Sequence, residues 1–443
     1  VTPAAGARTR PGPGWIEARR AGAIRSLRAA ISATSLECRR AAFGWTVRPA
    51  AGSVLASPAM GVWDPEPDYS HHWVRDAAIA MRAVPEILAV EAPERRGWWR
   101  QAFADYVRFS LALSDPDRRG PGRNPLRETT APDFRRFLRP DADLAGLAGD
   151  RWLEEPRFAA DGGADLERWN RPQDDGPALR AAGCLQIVAS RPDLRSPEVE
   201  RLVRRDLEHL RRVAGRACIG PWEETPARRT TFTLIAEWDA LDRGAAWMEA
   251  EGGPGDAAAL RRAAEAVAGL IGTAHDDGGA AWRESVEAAS GAYDAATVLA
   301  ILHAGRESGP LGLDAEATQG TLGALEASFA ALYPINRGRP VPAMGRWTED
   351  LYFDGNPWFP VTLGCAELAY RIAALRMDAA AWEKAELWMA LVEEVAPPGD
   401  ALPEQFHRET GAPVSCPALT WSAAAFIGAA SARDAAAQAL GIR

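Results

Sequence analysis

"GPWEETPARRTTFTLIAEWDALDRGAAWMEA", Gly220–Ala250, joins two kinds of sequence, and the junction between them decides the fold. Gly220–Thr230 reads as a loop, with glycine and proline at its start and a second proline at 226. It sets two adjacent acids, Glu223 and Glu224, behind Trp222. From Thr230 onward apolar residues fall at three- and four-residue steps, which predicts a helix over 230–250. A loop loaded with acid, guanidinium and indole thus opens directly into a helix.

The same alternation recurs along the chain. "IEARRAGAIRSLRAAISATSLECRRAAF" (16–43) and "LRRAAEAVAGLIGTAH" (260–275) carry the helical period. Further helices are predicted over 74–91, 97–113, 176–190, 196–215, 292–305, 316–333, 357–376, 379–396 and 417–431, about a dozen in all. Their alanine-rich faces permit close packing. The intervening loops 51–72, 114–175, 216–229, 335–356 and 397–416 are long and rich in Gly, Pro, Asp and Trp. Strand signals are few and brief, as in "GSVLASPA" (52–59). No Pro/Gly-rich linker separates two compositionally different halves. The expectation is an all-α toroid of paired helices in one domain, 1–443, with a flexible segment at 1–15 and functional loops at one end.

Composition excludes several classes. A formal net charge of −9 leaves no basic stripe to neutralise phosphates, so nucleic acid is not the partner. Lys384 is the only lysine among 51 basic residues, which reflects genomic base composition. The five cysteines (Cys38, Cys184, Cys218, Cys365, Cys416) have no CxxC spacing, so buried free thiols are expected and not a disulfide framework or zinc site. The six histidines give no metal-ligand spacing, and neither metal nor cofactor is expected. No apolar run has the length of a membrane span. "VTPAAGARTRPGPG" lacks the apolar core of a signal peptide, and a cytoplasmic location is the default expectation.

Seventeen tryptophans are many for 443 residues. Trp98, Trp99, Trp382 and Trp388 fall on predicted helices and read as core. Trp63, Trp73, Trp169, Trp222 and Trp347 fall in loops, beside carboxylates and arginines. Sugar rings present apolar C–H faces and a rim of hydroxyls, so aromatic platforms beside Asp and Arg suit a sugar pocket. Five segments repeat that composition: "PDYSHHWVRDAA", "WNRPQDDGPALR", "PWEETPARRTTFTL", "GRWTEDLYFDGNPWFP" and "LPEQFHRETGAPVSCPALTWSAAAF". Each has a bland explanation alone, such as an ion pair for Arg75 and Asp76 or an N-cap for one of Asp174 and Asp175. Five repeats of one composition are not explained by independent solvated faces.

In this order the five segments resemble glycoside hydrolase family 15, which holds glucoamylases, glucodextranases and some trehalases. The resemblance covers roughly residues 50–431. It implies an (α/α)6 barrel with the pocket at one end, and a glucoamylase-like inverting exo-α-glucosidase acting on an α-glucan oligosaccharide. By position it makes Glu223 the general acid and Glu404 the general base. Glu224 would hold a hydroxyl of the leaving-group sugar, and Arg75 and Asp76 would grip the non-reducing glucose. Tyr69 would sit by the ring oxygen, with Trp73, Trp169, Trp222 and Trp358 as walls and Arg346 reaching toward the leaving sugar. Arg171, Asp175, Glu349 and Asp350 complete the expected sugar-binding set.

The chemistry fits that division. Inversion needs two carboxyl groups about 6.5–9.5 Å apart, with room for water behind the anomeric carbon. Adjacent acids such as Glu223 and Glu224 lie on one side of the bond, so the base comes from a distant loop. The acid must also keep its proton near neutrality, which indole packing and negative neighbours favour. Gly220 and Pro221 stand where family members often show aspartate and leucine. The stretch "TPARRTTFT" is also longer and carries Arg228 and Arg229. Both changes border the leaving-group side, so α-1,6-selective isomaltose or dextran hydrolysis, or trehalose hydrolysis, stands as the alternative. A sugar-binding barrel without turnover is a further alternative, against which both glutamates and Tyr69 argue.

Overall fold

The computed structural model describes residues 9–61, 68–276 and 280–442. Trp63 and residues 1–8 of the expected flexible segment lie outside them. Beyond residue 8 the segment has partners: Arg10 donates to Glu383, and the Gly12 N–H donates to Glu393 at 2.7 Å.

Fourteen helices occur among the described residues, in chain order α1 Trp15–Ala30, α2 Val74–Met81, α3 Val84–Val90, α4 Pro93–Leu113 and α5 Asp141–Ala145. Then come α6 Asp175–Ser190, α7 Pro197–Val213, α8 Thr231–Ala250, α9 Pro254–Thr273 and α10 Ala295–Ala304. The last are α11 Glu316–Leu332, α12 Phe359–Arg376, α13 Ala379–Val395 and α14 Thr420–Leu440. Three short antiparallel pairs accompany them: β1 Cys38–Arg40 with β2 Trp45–Val47, β3 His72–Trp73 with β4 Arg157–Phe158, and β5 Gln405–Phe406 with β6 Pro413–Val414.

The burial pattern sorts the long helices into two alternating kinds. α1, α4, α7, α9, α11 and α13 keep a solvent-facing stripe, whereas α2, α6, α8, α10, α12 and the first half of α14 are buried nearly all round. A helix apolar on every side needs neighbours on every side. Alternation of the two kinds is therefore what a double layer of helices requires. The chain divides into two compact units. One comprises Arg28–Met60 and Asp68–Leu270; the other comprises Val1–Leu27, Gly61–Pro67 and Ile271–Arg443. In the first, α6 packs on α2, α7 and α8; in the second, α12 packs on α10, α13 and α14. All five cysteines are buried and unbridged. No described helix is long and apolar enough to cross a membrane.

The structure corrects four sequence expectations of secondary structure. The period read through Phe43 overruns, because α1 stops at Ala30: Ile31 bridges to Val54, Ser32 takes φ +51°, and 38–47 form the β1/β2 hairpin. The helix expected over 74–91 is two, since the chain turns at Arg82 and Ala83. α14 runs nine residues past 431, to Leu440. The strand signal at 52–59 reduces to the single Val54 bridge.

Gly176, in the first turn of α6, lets that helix press on the start of α2. A Cβ there would lie 2.9 Å from the Val74 Cβ and Cγ1 atoms. Gly176→Ala is expected to cost about 1–3 kcal/mol, the usual price of overpacking a tight contact, measurable by denaturant unfolding. An unchanged midpoint would contradict the close approach.

Candidate active site

In the unit containing α2–α8, the loop before α8 is closed at its base by Cys218 and Arg228, whose backbones exchange N–H···O bonds of 3.1 and 3.0 Å. Within the loop, Gly220 O accepts from Glu223 N at 2.9 Å and from Gln173 Nε2 at 2.9 Å. Glu223 itself takes φ +63°. That region costs a non-glycine residue on the order of 1–3 kcal/mol and persists only where surrounding bonds fix it. Those bonds are present. Trp73 Nε1 donates to Oε1 at 2.8 Å, Trp169 Nε1 to Oε2 at 2.5 Å, and Arg75 Nη2 to Oε1 at 3.3 Å. Asn170 Nδ2 donates to the Glu223 carbonyl at 2.6 Å.

These donors come from different elements. Trp73 ends β3 and immediately precedes α2, whose first turn carries Arg75 and Asp76, paired at 3.0 Å. Trp169 approaches from the long loop before α6, its ring 5.8 Å from that of Trp73 at 78°. Tyr69 packs edge-on against Trp73 at 5.5 Å. The Glu223 side chain is 11% exposed. Burial pushes its proton affinity up; Arg75 opposes this, Asp76 adds to it, and the Trp169 bond and Arg157 oppose it, with a net rise. Asp175, fully buried, has no hydrogen-bond partner on either oxygen among the described residues. Burial, opposed by Arg75 and reinforced by Glu223, Asp174 and Asp76, pushes its carboxyl up to about 7. Of the other residues of the loop, Trp222 is half-buried and Glu224 exposed.

The capping role expected for one of the two aspartates is not what the structure shows for Asp174. Its side chain makes no cap bond and instead receives both arms of Arg216 at 2.7 and 2.8 Å. Arg171 sits in an alternating buried series of four arginines and four acids. The order is Asp68, Arg40, Glu167, Arg157, Asp165, Arg171, Glu155, Arg139, with N···O contacts of 2.7–3.4 Å. Its Nε and Nη2 bind Glu155 and Asp165, and its Nη1 donates to the Trp169 carbonyl at 2.7 Å.

In the unit containing α10–α14, Arg346 and Asp350 form a buried bidentate pair at 2.8 and 2.5 Å. The Arg346 guanidinium lies 4.3, 5.3 and 5.0 Å from the ring centroids of Trp347, Tyr352 and Trp358. Glu349 is exposed. Glu404, 4% exposed, is tied in by backbone bonds from Phe359 N to its carbonyl at 3.0 Å and from its N–H to Cys416 O at 2.8 Å. Ser415 Oγ donates to its Oε2. Trp358, its backbone bridged to Gln405, precedes α12 directly.

The structure thus gathers Trp73, Arg75, Asp76, Trp169 and Glu223 in one unit, and Arg346, Asp350 and Trp358 in the other. Sequence reasoning singled out neither Asn170 nor Ser415, although both lie inside the quoted segments. It also missed Arg157, which lies in none of them. Among the described residues no group of three or more His, Cys, Asp or Glu side chains is placed to hold a metal ion.

A buried carboxyl with raised proton affinity, flanked by indoles and an arginine–aspartate pair, has the make-up of an acid-catalytic site that suits a sugar. Comparison makes the class specific. Residues 123–431 match the family described as Glycosyl hydrolases family 15, and the chain belongs to it as a glucoamylase-like glycoside hydrolase. It is 27% identical to Glucoamylase-1 of Schizophyllum commune over 87% of this chain and 69% of that protein. It is 24% identical to Glucoamylase-1 of Arthroderma benhamiae over 86% of this chain and 64% of that one. The chain thus spans about two thirds of the length of these relatives. The solved glucoamylase from Saccharomycopsis fibuligera superposes with a TM-score of 0.74 at 20% identity, covering 98% of each chain. That likeness shows the fold, an (α/α)6 barrel, as the five motifs imply.

Proposed function

We propose that the chain is an inverting exo-α-glucosidase that releases β-glucose from the non-reducing ends of short α-glucans. Glu223 is the general acid and Glu404 the general base. The observation that carries this reading is the Glu223 carboxyl: burial raises its proton affinity, while two indoles and Arg75 stand ready to stabilise the anion left once a proton is delivered. A group that is reluctant to ionise yet well received when it does is what general-acid catalysis requires. Arg75 and Asp76 hold hydroxyls of the terminal glucose, and Tyr69 faces the ring oxygen. Trp73, Trp169, Trp222 and Trp358 form walls, and Asp175 supports the glucose side. Glu224, Arg346, Glu349 and Asp350 serve the remaining sugar contacts, while Arg171, bonded to Glu155, Asp165 and the Trp169 carbonyl, holds the Trp169 wall in place.

The test is hydrolysis of maltose, isomaltose and trehalose side by side, with product analysis on a longer maltooligosaccharide. Glucose as the sole early product, with maltose cleaved fastest, is expected. Faster cleavage of isomaltose moves the substrate to α-1,6 glucans and keeps the chemistry. Early release of larger fragments contradicts exo action.

Ser415 gives a second check. A donor to a carboxylate favours its ionised form, and the base must be ionised to draw a proton from water. Ser415→Ala is therefore expected to move the acid limb of the kcat/KM profile to higher pH by about half a unit. A limb that stays put, or moves down, contradicts the role of Glu404 as base.

A further inference from the structure

Buried ion networks are poor sources of stability, because desolvation offsets most of the attraction. The eight-member series around Arg171 therefore calls for another explanation, and Arg157 supplies one. β3 and β4 pair in a register that sets Arg157 directly opposite Trp73. The edge of its guanidinium is held by Asp165, with Nε to Oδ2 at 3.0 Å, and by Glu167, with Nη2 to Oε2 at 3.4 Å. Its carbon lies 3.7 Å from the centroid of the Trp169 ring and 4.9 Å from that of Trp73. These are the two indoles that donate to separate oxygens of Glu223. Arginine suits this place because its planar fork bonds along its edge while its faces stay free for aromatic rings.

We propose that Arg157 is a positioning residue for the acid: braced by Asp165 and Glu167, its guanidinium fixes both indoles at the angle from which each donates to one oxygen of Glu223. The proposal rests on Glu223 being the general acid. Arg157 also supplies positive charge near that carboxyl, which lowers its proton affinity. The other charged groups facing the carboxyl, Arg75 and Asp76 from α2 and Asp175 from α6, are unaltered when Arg157 is replaced.

The experiment is the pH dependence of kcat and kcat/KM on maltose for Arg157→Met, Arg157→Lys and Arg139→Met. Arg139 closes the far end of the series through a bidentate bond to Glu155. Its removal therefore breaks the network without touching the indoles. Arg157→Met is expected to lower kcat on the order of 10- to 100-fold, as small misplacements of catalytic groups do, with KM little changed. Losing both the charge and the ordered donors makes the acid hold its proton more tightly, so the basic limb moves up, by about one unit. Arg157→Lys keeps the charge and loses the stacked plane and the ordered donors; it is expected to restore the limb only in part and not kcat. Arg139→Met is expected to lower the unfolding midpoint and leave the limb at its wild-type position.

A limb unmoved in Arg157→Met, or moved equally by Arg139→Met, overturns the proposal, as does full recovery of kcat in Arg157→Lys. Should the methionine variant not fold, the lysine variant decides by kcat alone. Glu223→Gln in the same assay separates the two readings. A basic limb that survives it overturns the assignment of Glu223 and this proposal together. A limb abolished by it yet unmoved in Arg157→Met overturns only the role of Arg157.

Discussion

Glu223→Gln is expected to lower kcat on maltose by roughly 10²- to 10⁴-fold, the range that a positioned general acid contributes. The glutamine keeps the shape of the side chain and can still accept from the Trp73 or Trp169 indole, so folding is expected to be preserved. What it lacks is the proton for the departing sugar oxygen. Fluoride departs without a proton, and α-glucosyl fluoride is accordingly expected to be turned over with a far smaller loss. The basic limb of the pH profile, set by ionisation of the acid, is expected to vanish with it. An equal loss on maltose and fluoride would show that Glu223 acts otherwise, as a sugar contact or a structural group.

Glu404→Gln has the second large effect, again roughly 10²- to 10⁴-fold in kcat, but its signature is opposite. Activation of water is needed whichever group leaves, so maltose and α-glucosyl fluoride are expected to suffer alike. Glu404→Ala opens space beside Ser415, and added azide, a nucleophile that needs no base, is expected to restore turnover and yield β-glucosyl azide. Near-full activity in Glu404→Gln, or rescue giving the α-azide, would contradict its role.

Much of this was legible in the sequence, and the limits have physical causes. The long helices announced themselves because their period persists over several turns, as in α8, expected at 230–250 and found at Thr231–Ala250. Alanine and arginine fill α1 and the hairpin after it alike, so composition could not show where the helix stops; the Ile31–Val54 bridge decides that from outside the segment. Arg346 and Asp350 were legible as charged residues of one short motif, but not as the buried bidentate pair that they form. Arg157 was invisible for the opposite reason. A charged residue in a two-residue strand carries no periodicity, and its neighbours Asp165 and Glu167 read as loop charges. Its importance depends on the pairing of β4 with β3, which no local pattern encodes. Arg171 was legible as an arginine beside a tryptophan, but not as a member of the buried series that holds that tryptophan's carbonyl.

The central claim, single-displacement hydrolysis driven by Glu223 and Glu404, is tested most directly by following the anomeric protons during maltose hydrolysis by proton NMR. Water attacking opposite the departing sugar inverts the anomeric carbon. The account predicts that the β-glucose signal rises first and the α signal follows only as mutarotation proceeds. An α-glucose signal that leads would show retention and contradict the assignment of Glu404 as a base.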